Sequence, residues 1–353
     1  MIDKRANVIG LGLIGGSIAL GLRAQGWHVS GDDLDPVRLS AAREQGVIDA
    51  VDLDPDAVIT FVAVPVLAIA DQAKRALAET AGVVTDVGSV KGSVCRSIDD
   101  PRFLGGHPMA GSELDGLDGA QADMFVGAVW VLTPGADIDD ATFATVAGVV
   151  SALGADVVAI EPERHDHLVA VVSHVPHLTA ATLMGLASTR AEEHAALLRL
   201  AAGGFRDMTR VASGQPGIWL DICAENRPAI LDALDELIEG LEGVRDIIHH
   251  DDREALLDRL TAARQARTNL PTRVVHPEDM AEVRIPIPDR TGAAAEVFTL
   301  AAELGVNIAS FEVVHVVESN RGVAVVMIDQ TMVDMFRGGL IARGFRPGVH
   351  SLS

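Results

Sequence analysis

The chain has 353 residues, 48% of them hydrophobic, which is enough for two or three folded domains and argues against a disordered protein. Its 28 Lys and Arg residues against 50 Asp and Glu residues give a net charge of -22, which disfavours nucleic-acid binding and means that an anionic substrate needs a local cationic site. The two cysteines, Cys95 and Cys223, form no C-x-x-C pair and no charged leader precedes the first apolar segment, so we expect a cytoplasmic protein with no membrane association.

The first 160 residues alternate strand and helix patterns. Strands are predicted at 6–9, 28–31, 58–64, 83–87, 128–132 and 157–160, and helices at 14–23, 38–45 and 142–153. This βαβ order predicts an α/β Rossmann-type dinucleotide-binding domain, residues 1–160, with a parallel sheet covered on both faces. The most membrane-like window, residues 141–160, contains Gly148, Gly154 and Asp156, and we interpret it as a helix followed by a strand.

Helical patterns dominate residues 161–268, where strand signals are absent. The most regular segment repeats apolar residues at alternating spacings of four and three: Ile230, Leu234, Leu237, Leu241, Val244 and Ile248. Such a heptad seam carries more apolar surface than one small domain needs. We therefore expect an all-α dimerisation domain and a homodimer, with an intramolecular helix bundle as the alternative.

Residues 269–279 are polar, contain Pro271 and Pro277, and are typical of a linker. A compact α+β unit follows over residues 280–353. We predict strands at 282–287, 310–317 and 322–328, helices at 293–304 and 331–343, and turns at 288–292 and 319–321.

A glycine motif, Gly10-Leu11-Gly12-Leu13-Ile14-Gly15, follows the first strand and opens the first helix. In that context G-x-G-x-x-G predicts a dinucleotide site whose diphosphate lies at the helix N-terminus. Asp33 ends the next strand and is expected to bind a ribose, which favours NAD over NADP because its charge repels a 2′-phosphate. Asp32 is a competing acid, and Arg38 keeps NADP open. Val64, the last residue of the third predicted strand, is expected to contact the cofactor.

Four segments together resemble the prephenate and arogenate dehydrogenases. They are 83–92 (VVTDVGSVKG), 105–113 (GGHPMAGSE), 173–177 (SHVPH) and 203–212 (GGFRDMTRVA), and the resemblance extends to about residue 265. The C-terminal unit resembles an ACT domain, a regulatory module that binds small molecules, although Asp289-Arg290-Thr291-Gly292 departs from the usual Asp-Arg-Pro-Gly. The resemblance implies NAD-dependent oxidative decarboxylation of prephenate to 4-hydroxyphenylpyruvate in tyrosine biosynthesis.

His107 is the expected catalytic residue, because a neutral imidazole near the carboxyl end of a strand can hydrogen-bond to a ring hydroxyl and take its proton. We place it in a glycine-rich loop. The resemblance implies that Ser89 bridges the substrate, His107 and the nicotinamide. Lys91 is either a helix-start residue or a cofactor contact.

Seven further residues are expected to bind the substrate. Arg210 is the carboxylate clamp, since a guanidinium binds a carboxylate through two parallel hydrogen bonds. The resemblance implies that Glu113 and Asp207 control access and hold Arg210 when substrate is absent. The resemblance also implies that His165, His174 and His177 line the mouth of the active site and support substrate or product binding. Trp219 either lines the pocket for the ring or packs in the core. The histidine spacing also admits a metal site, but Pro176 interrupts it and no Cys or regular acid completes a ligand set, so no metal is expected.

Two alternatives to prephenate dehydrogenase remain open. Arogenate dehydrogenase would perform the same chemistry on the amino analogue of the substrate. A catalytically silent protein that senses NAD and an amino acid would keep the fold without the reaction, although Ser89, His107 and Arg210 are all present. The ACT-like unit further suggests an aromatic amino-acid effector.

Overall fold

The computed structural model describes residues 4–111, 114, 116–135, 138–193, 197–268, 280–288, 292–315 and 321–351. The chain divides into two compact units, Met1–Leu257 and Asp258–Ser353. The predicted turn residues 289–291 and 319–320 and the predicted linker 269–279 lie outside the described residues.

In the described part of the first unit, eight strands form one sheet in the order β3-β2-β1-β4-β5-β6-β7-β8. The strands are β1 (Arg5–Ile9), β2 (His28–Asp32), β3 (Ala50–Val51), β4 (Ile59–Val62), β5 (Val83–Asp86), β6 (Phe103–Pro108), β7 (Val129–Thr133) and β8 (Asp156–Ala159). The first six strands have the order of a dinucleotide-binding sheet, which confirms the predicted Rossmann-type domain. The sequence analysis missed β3 and gave β6 no bounds.

The helices that accompany this sheet are α1 (Leu13–Ala24), α2 (Pro36–Glu44), α3 (Val66–Glu79), α4 (Gly92–Ser97) and α5 (Asp140–Ala152). The sequence analysis did not predict α3 and α4. A helical period was present in α3, because its buried residues Ile69, Ala73 and Ala76 recur at spacings of four and three. Residues 141–160 form α5 followed by β8, as predicted.

The prediction of an all-parallel sheet was wrong at one position, because β7 runs antiparallel to β6. If β7 were parallel to β6, the chain would have to cross back to the end of the sheet at which β6 begins. Instead, β7 begins at the same end of the sheet at which β6 ends at Pro108. The regular element in the described part of the connection is the short 3₁₀ turn Leu117–Gly119. The connection between β6 and β7 therefore begins and ends at the end of the sheet where the carboxyl ends of β1, β4 and β5 also lie.

The core of the sheet is built from aliphatic and aromatic side chains that strand alternation directs inward. Phe61 and Trp130 are fully buried and meet edge to face at 6.2 Å between ring centroids. Phe125 packs on the other side of Trp130 at 5.0 Å. The contact between Phe61 and Trp130 thereby packs β4 against β7 across one face of the sheet.

The helical region consists of α6 (Pro162–Val169), a π-helical turn (Ala170–His174), α7 (Val175–Glu193), α8 (Gly203–Thr209), a 3₁₀ turn (Arg210–Ser213), α9 (Pro216–Glu225), α10 (Arg227–His249) and α11 (Arg253–Thr268). The continuous helix Pro162–Arg190 is the one described segment long and apolar enough to cross a membrane by length and composition. It also carries the buried polar side chains His165, Asp166 and His174, so a membrane span is a poor explanation of it.

The heptad seam lies on α10, as predicted, and its burial within the unit decreases along the helix: Leu234, Leu237 and Val244 are only half-buried. Ile230 is buried against Ile222 and Ala229, whereas Leu241 and Ile248 are 58% and 62% exposed. An intramolecular bundle would have buried the later positions as well. The exposed positions agree with the expected dimer contact, which stays a prediction.

The C-terminal unit contains β9 (Met280–Pro288), α12 (Ala293–Glu303), β10 (Ile308–His315), β11 (Arg321–Asp329), α13 (Val333–Ala342) and β12 (Gly348–Ser351). The strands form an antiparallel sheet in the order β10-β11-β9-β12, and both helices contribute to its buried core. The predicted βαββα pattern is therefore extended by a final strand, β12, that the sequence analysis missed. Because its core is its own, this unit is a separate folding element.

Candidate functional site

The predicted cofactor motif forms a tight turn between β1 and α1. Gly10 has φ +89°, and a Cβ there would lie 2.3 Å from the carbonyl oxygen of Ala63. A Cβ on Gly15 would lie 1.9 Å from the carbonyl oxygen of Gly10, so helix and strand approach too closely for a side chain. Val64 lies beside this turn, next to the position that a Gly10 side chain would occupy. Leu11 is fully buried, and Leu13 and Ile14 begin α1.

Gly12 differs from these two glycines, because a Cβ on it would have no protein atom within 4 Å and its φ is an ordinary -77°. The space beside Gly12 faces the start of α1, whose first turn holds no acidic residue. Unpaired N–H groups at a helix N-terminus attract anions. The turn therefore fits the diphosphate of NAD, and no described protein atom near Gly12 excludes a side chain at that position.

Asp33 has three protein partners around its carboxylate. One oxygen accepts from the backbone N–H of Leu11 at 2.7 Å, and the other accepts from that of Asp35 at 2.8 Å. The Arg38 guanidinium contacts both oxygens at 3.2 Å. The Asp33 side chain is only 4% exposed, so a ribose hydroxyl reaches it only if Arg38 gives up a contact. The competing acid Asp32 is instead ion-paired with Arg75. The ribose role of Asp33 stays a prediction.

His107 lies within β6, one residue from its end, and not in a loop as the glycines around it suggested. Gly105 and Gly106 are themselves strand residues. A Cβ on Gly106 would lie 2.7 Å from the carbonyl oxygen of Asp86, so glycine is required by close packing between β5 and β6. This packing holds the imidazole rigidly in a buried position, with 7% of the residue exposed.

A fully buried ion pair between Lys91 and Asp86 lies directly beneath β6. Lys91 Nζ also donates to the carbonyl of Gly106 at 2.9 Å, and Asp86 accepts from the backbone N–H of Gly106 at 3.2 Å. Both backbone groups that precede His107 are thereby fixed. Lys91 also directly precedes α4. Among the described contacts, its backbone therefore begins the helix, and its buried ammonium group anchors the backbone of Gly106.

His165 brings the helical region onto His107. Its Nε2 lies 2.8 Å from Nδ1 of His107, and its Nδ1 lies 2.8 Å from Oδ1 of Asp166. Asp166 in turn accepts from the backbone N–H groups of Lys91 and Gly92, each at 2.8 Å. His165 therefore lies behind the His107 ring, on its Nδ1 side, and not only at the pocket mouth.

The other two histidines have different neighbours. His174 is buried, its Nδ1 lies 3.2 Å from the amide nitrogen of Asn226, and its Nε2 has no hydrogen-bond partner within the described ranges. His177 stacks on Trp219 with ring centroids 3.7 Å apart, and the same Trp219 meets His174 edge to face at 6.0 Å. These side chains form an aromatic wall, but the described part of the chain groups no three potential ligands around a metal position.

The remaining predicted residues are less tightly joined to this cluster. Ser89 is half-buried on the loop between β5 and α4, and no hydrogen bond within the described ranges joins its hydroxyl to His107. Its neighbour Val90 packs in the same apolar cluster as Trp219. Asp207 and Arg210 are exposed at the end of α8 and the start of the following 3₁₀ turn. Glu113 lies outside the described residues, so the contact predicted between it and Arg210 stays a prediction.

Burial controls the protonation of the histidines. It lowers the pKa of His107 well below the ordinary value, and the charges of His165, Lys91 and His174 lower it further. Burial also lowers the pKa of His174 to about 4, although Asp166 opposes the effect. Burial raises the pKa of Asp166, but hydrogen bonds from His165, Lys91 and Gly92 outweigh it and leave that pKa below its ordinary value. At neutral pH, therefore, the His107 and His174 rings are neutral and the Asp166 carboxyl is ionised.

The sequence analysis missed four residues of this site: Asp86, Lys91 as an anchor, Asp166 and Asn226. Asp86 and Lys91 stand inside the recognised segment 83–92, so their position was a usable signal. Asp166 and Asn226 gave no such signal, because their partners are far away along the chain.

We predict that Gly12→Ala weakens cofactor binding without destabilising the fold. The added methyl group has no protein neighbour and lies where the diphosphate is expected, so we expect the KM for NAD to rise about tenfold. Initial rates at varied NAD and thermal unfolding of the unliganded protein measure the two effects.

The matched control is Gly148→Ala, an exposed glycine in α5 whose Cβ also meets no protein atom within 4 Å. It should leave the KM for NAD unchanged. An unchanged KM in the Gly12 variant would contradict the assignment of the diphosphate to this turn.

Comparisons with known proteins agree with this geometry. Residues 18–159 match the family described as prephenate dehydrogenase, nucleotide-binding domain, and residues 161–262 match prephenate dehydrogenase, dimerization domain. A prephenate dehydrogenase of Bacillus subtilis is 32% identical over 330 residues, which cover 89% of this chain and 89% of that protein.

Two solved structures resemble the chain as well. The prephenate dehydrogenase of A. aeolicus, in complex with hydroxyphenyl propionate and NAD+, has a TM-score of 0.72 at 28% identity, and the match covers 77% of this chain and 99% of that one. The arogenate dehydrogenase of Synechocystis has a TM-score of 0.66 at 29% identity, with 76% of this chain and 100% of that one covered. The two family matches and the Bacillus relative together show that this chain belongs to the prephenate dehydrogenase family.

Proposed function

We propose that this chain catalyses the NAD-dependent oxidative decarboxylation of prephenate to 4-hydroxyphenylpyruvate, with His107 as the residue that accepts the ring-hydroxyl proton. The observation that carries the proposal is the position of His107, a buried neutral imidazole held between β5 and β7 and hydrogen-bonded on its Nδ1 side. The NAD-dependent dehydrogenase activity follows from family membership, and the Bacillus subtilis relative is named as a prephenate dehydrogenase.

The residues of the chain divide the work between cofactor and substrate. When bound, NAD supplies the hydride acceptor, and the turn at Gly10–Gly15 with Asp33 would hold it. His107 orients the ring hydroxyl and takes its proton, while Ser89 lies one residue from the cluster that supports Trp219. The buried Nε2 of His174 has an unsatisfied hydrogen-bonding position that a substrate oxygen would fill. Trp219 and His177 supply an aromatic wall for the ring.

The substrate carboxylates require cationic contacts, since the protein as a whole is strongly acidic. We assign this role to Arg210, with Asp207 and Glu113 as the acids that control access to it. Arg210 follows α8 directly and belongs to a short 3₁₀ turn, so its backbone is fixed although its side chain is exposed. A planar guanidinium binds a carboxylate through two parallel bonds, which lysine cannot reproduce.

Arogenate is the second candidate substrate, because a solved structure similar to this one is named as an arogenate dehydrogenase. Comparing kcat/KM for prephenate and for arogenate with NAD distinguishes the two. Turnover of neither compound would contradict both.

We also propose three domains, at residues 1–160, 161–268 and 280–353, in a cytoplasmic homodimer formed through the helical domain. The exposed apolar positions Leu241 and Ile248 on α10 support the dimer, and the matched family is described as a dimerization domain. The βαββαβ order and antiparallel sheet of the C-terminal unit support an ACT-like regulatory domain that binds an aromatic amino acid.

We predict that His107→Asn lowers kcat by about 10²–10⁴-fold, the usual contribution of a general base. The asparagine has a similar size but cannot take the proton. NADH formation measures kcat, and the affinity for NAD in the absence of substrate should change little. A variant that keeps its kcat would contradict the role of His107.

We predict that Arg210→Lys raises the KM for prephenate about 10–100-fold, because one of two charge-assisted hydrogen bonds is lost. Arg206→Lys is the matched control, since Arg206 is exposed on α8, the helix that precedes Arg210, and donates to the backbone oxygen of Ala201. Equal effects of the two substitutions on KM would rule out a specific clamp.

We predict that tyrosine or another aromatic amino acid changes the reaction rate, and that deleting residues 280–353 removes part of this response while leaving basal turnover. The deletion is feasible because the C-terminal unit has its own core. Inhibition curves of the full-length and shortened proteins are compared. Identical curves would place the effector at the catalytic site instead.

A further inference from the structure

Asp166, His165 and His107 form one continuous hydrogen-bonded chain that leads from the backbone of α4 to the proposed catalytic ring. The links are 2.8 Å from Asp166 Oδ1 to His165 Nδ1 and 2.8 Å from His165 Nε2 to His107 Nδ1. All three residues are buried, with 8%, 1% and 7% of their surface exposed. The chain therefore operates away from water, where each hydrogen bond is well defined.

Asp166 is held as a carboxylate by its surroundings. Its two oxygens accept backbone N–H groups from Lys91 and Gly92 at 2.8 Å, in addition to the His165 contact. Two backbone donors therefore converge on this acid, one on each oxygen, which favours its ionised form. An ionised carboxylate can only accept hydrogen bonds.

The direction of every other bond follows from this constraint. Because Asp166 accepts, Nδ1 of His165 carries a proton, and Nε2 is the bare nitrogen of the neutral ring. The Nδ1 of His107 faces that bare nitrogen and therefore donates to it. A neutral imidazole carries one proton, so Nε2 of His107 is left as the acceptor.

The opposite arrangement requires a protonated His165 that donates to His107. It would add a cation to a buried region, where the Lys91 ammonium group is already paired with Asp86. It would also put the proton of His107 on Nε2 and prevent that atom from accepting another. Burial disfavours such an extra charge.

We propose that Asp166 is a positioning residue, acting through His165, that holds His107 in the tautomer whose Nε2 accepts the proton of the substrate's ring hydroxyl. This inference rests on the role proposed above for His107. It assigns His165 to the support of the catalytic ring rather than to a substrate contact, and it gives Asp166 a part in the chemistry.

The proton and electron balance of the reaction fits this arrangement. The ring carbon gives its hydride to NAD while the hydroxyl O–H bond breaks and its proton moves to Nε2 of His107. The bond to the ring carboxylate then breaks, carbon dioxide leaves, and the electron pair aromatises the ring to a phenolate. The phenolate takes the proton back from Nε2, so no net proton is released. While His107 holds this proton, the Asp166 carboxylate stabilises the positive charge shared by the imidazoles of His107 and His165.

Nitrogen NMR of protein labelled with ¹⁵N-histidine tests the tautomer directly, because protonated and bare ring nitrogens have distinct shifts. The His107 signals are identified by their loss in His107→Asn. We expect the wild type to carry the proton on Nδ1 with Nε2 bare. A proton on Nε2 of wild-type His107 would overturn the proposal without any further variant.

Asp166→Leu provides the second measurement, since leucine has a similar volume and accepts no hydrogen bond. We expect the His107 signals to report a mixture of tautomers and kcat to fall by about 10²–10⁴-fold, with the KM for NAD little changed. Glu163→Leu is the matched control, because Glu163 lies on the same helix, is exposed and pairs with Arg96. The control should keep both the tautomer and kcat.

A purely structural role for Asp166 would lower the unfolding temperature and leave the tautomer of His107 as in the wild type, and that outcome overturns the proposal. If Asp166→Leu does not fold, His165→Phe removes the acceptor of His107 and should give the same mixture of tautomers. The NMR measurements need no substrate. A wild-type protein that turns over neither prephenate nor arogenate would thus refute the proposed function. The tautomer of His107 would still test the positioning role of Asp166 on its own.

Discussion

The carboxylate of Asp166 is the contact on which the geometry of the site depends. It belongs to the helical region, yet it binds the backbone N–H groups of Lys91 and Gly92 in the nucleotide-binding region. Its own backbone oxygen accepts from Asn226, so the same residue is tied to α10 as well. The buried Asp166 thereby connects α4, α6 and the residue that begins α10. This junction fixes the position of His165 and, through it, contributes to that of His107.

A second buried charge arrangement, between Lys91 and Asp86, fixes the sheet side of the site. Breaking such a pair would leave an uncompensated buried charge, which is strongly unfavourable. The pair holds the backbone on both sides of Gly106, and His107 follows directly. The imidazole is thus fixed from the sheet by Lys91 and Asp86 and from the helices by His165. This double restraint suits a ring that has to meet one hydroxyl in one orientation.

Burial also explains why a histidine serves this chemistry. The apolar and cationic surroundings keep His107 neutral, and a neutral ring is the form that accepts a proton. The nearby ionised Asp166 limits the cost when the ring becomes charged during turnover. The direction of β7 matters for the site as well. Because β7 runs antiparallel to β6, the connection between them begins and ends at the carboxyl end of the parallel strands, where substrate and cofactor are expected to meet.

Some features of this protein were determined by short stretches of sequence. The turn at Gly10–Gly15 follows from the lack of a side chain, since Gly10 needs a positive φ and Gly15 a close approach. The alternation of strands and helices predicted the nucleotide-binding sheet, and the heptad spacing predicted α10. Segments such as 105–113 predicted the family. Each of these signals resides within a few residues, where local stereochemistry decides the conformation.

The tertiary structure decided what those signals could not. His107 lies in a strand and not in a loop, and Gly106 before it is required by packing against the backbone of Asp86. The direction of β7 depends on where its connection returns. The backbone N–H of Lys91 and the carboxylate of Asp166 are 75 residues apart in sequence and meet only in the folded chain. Such contacts depend on the packing of whole elements, and no local spacing in the chain encodes them.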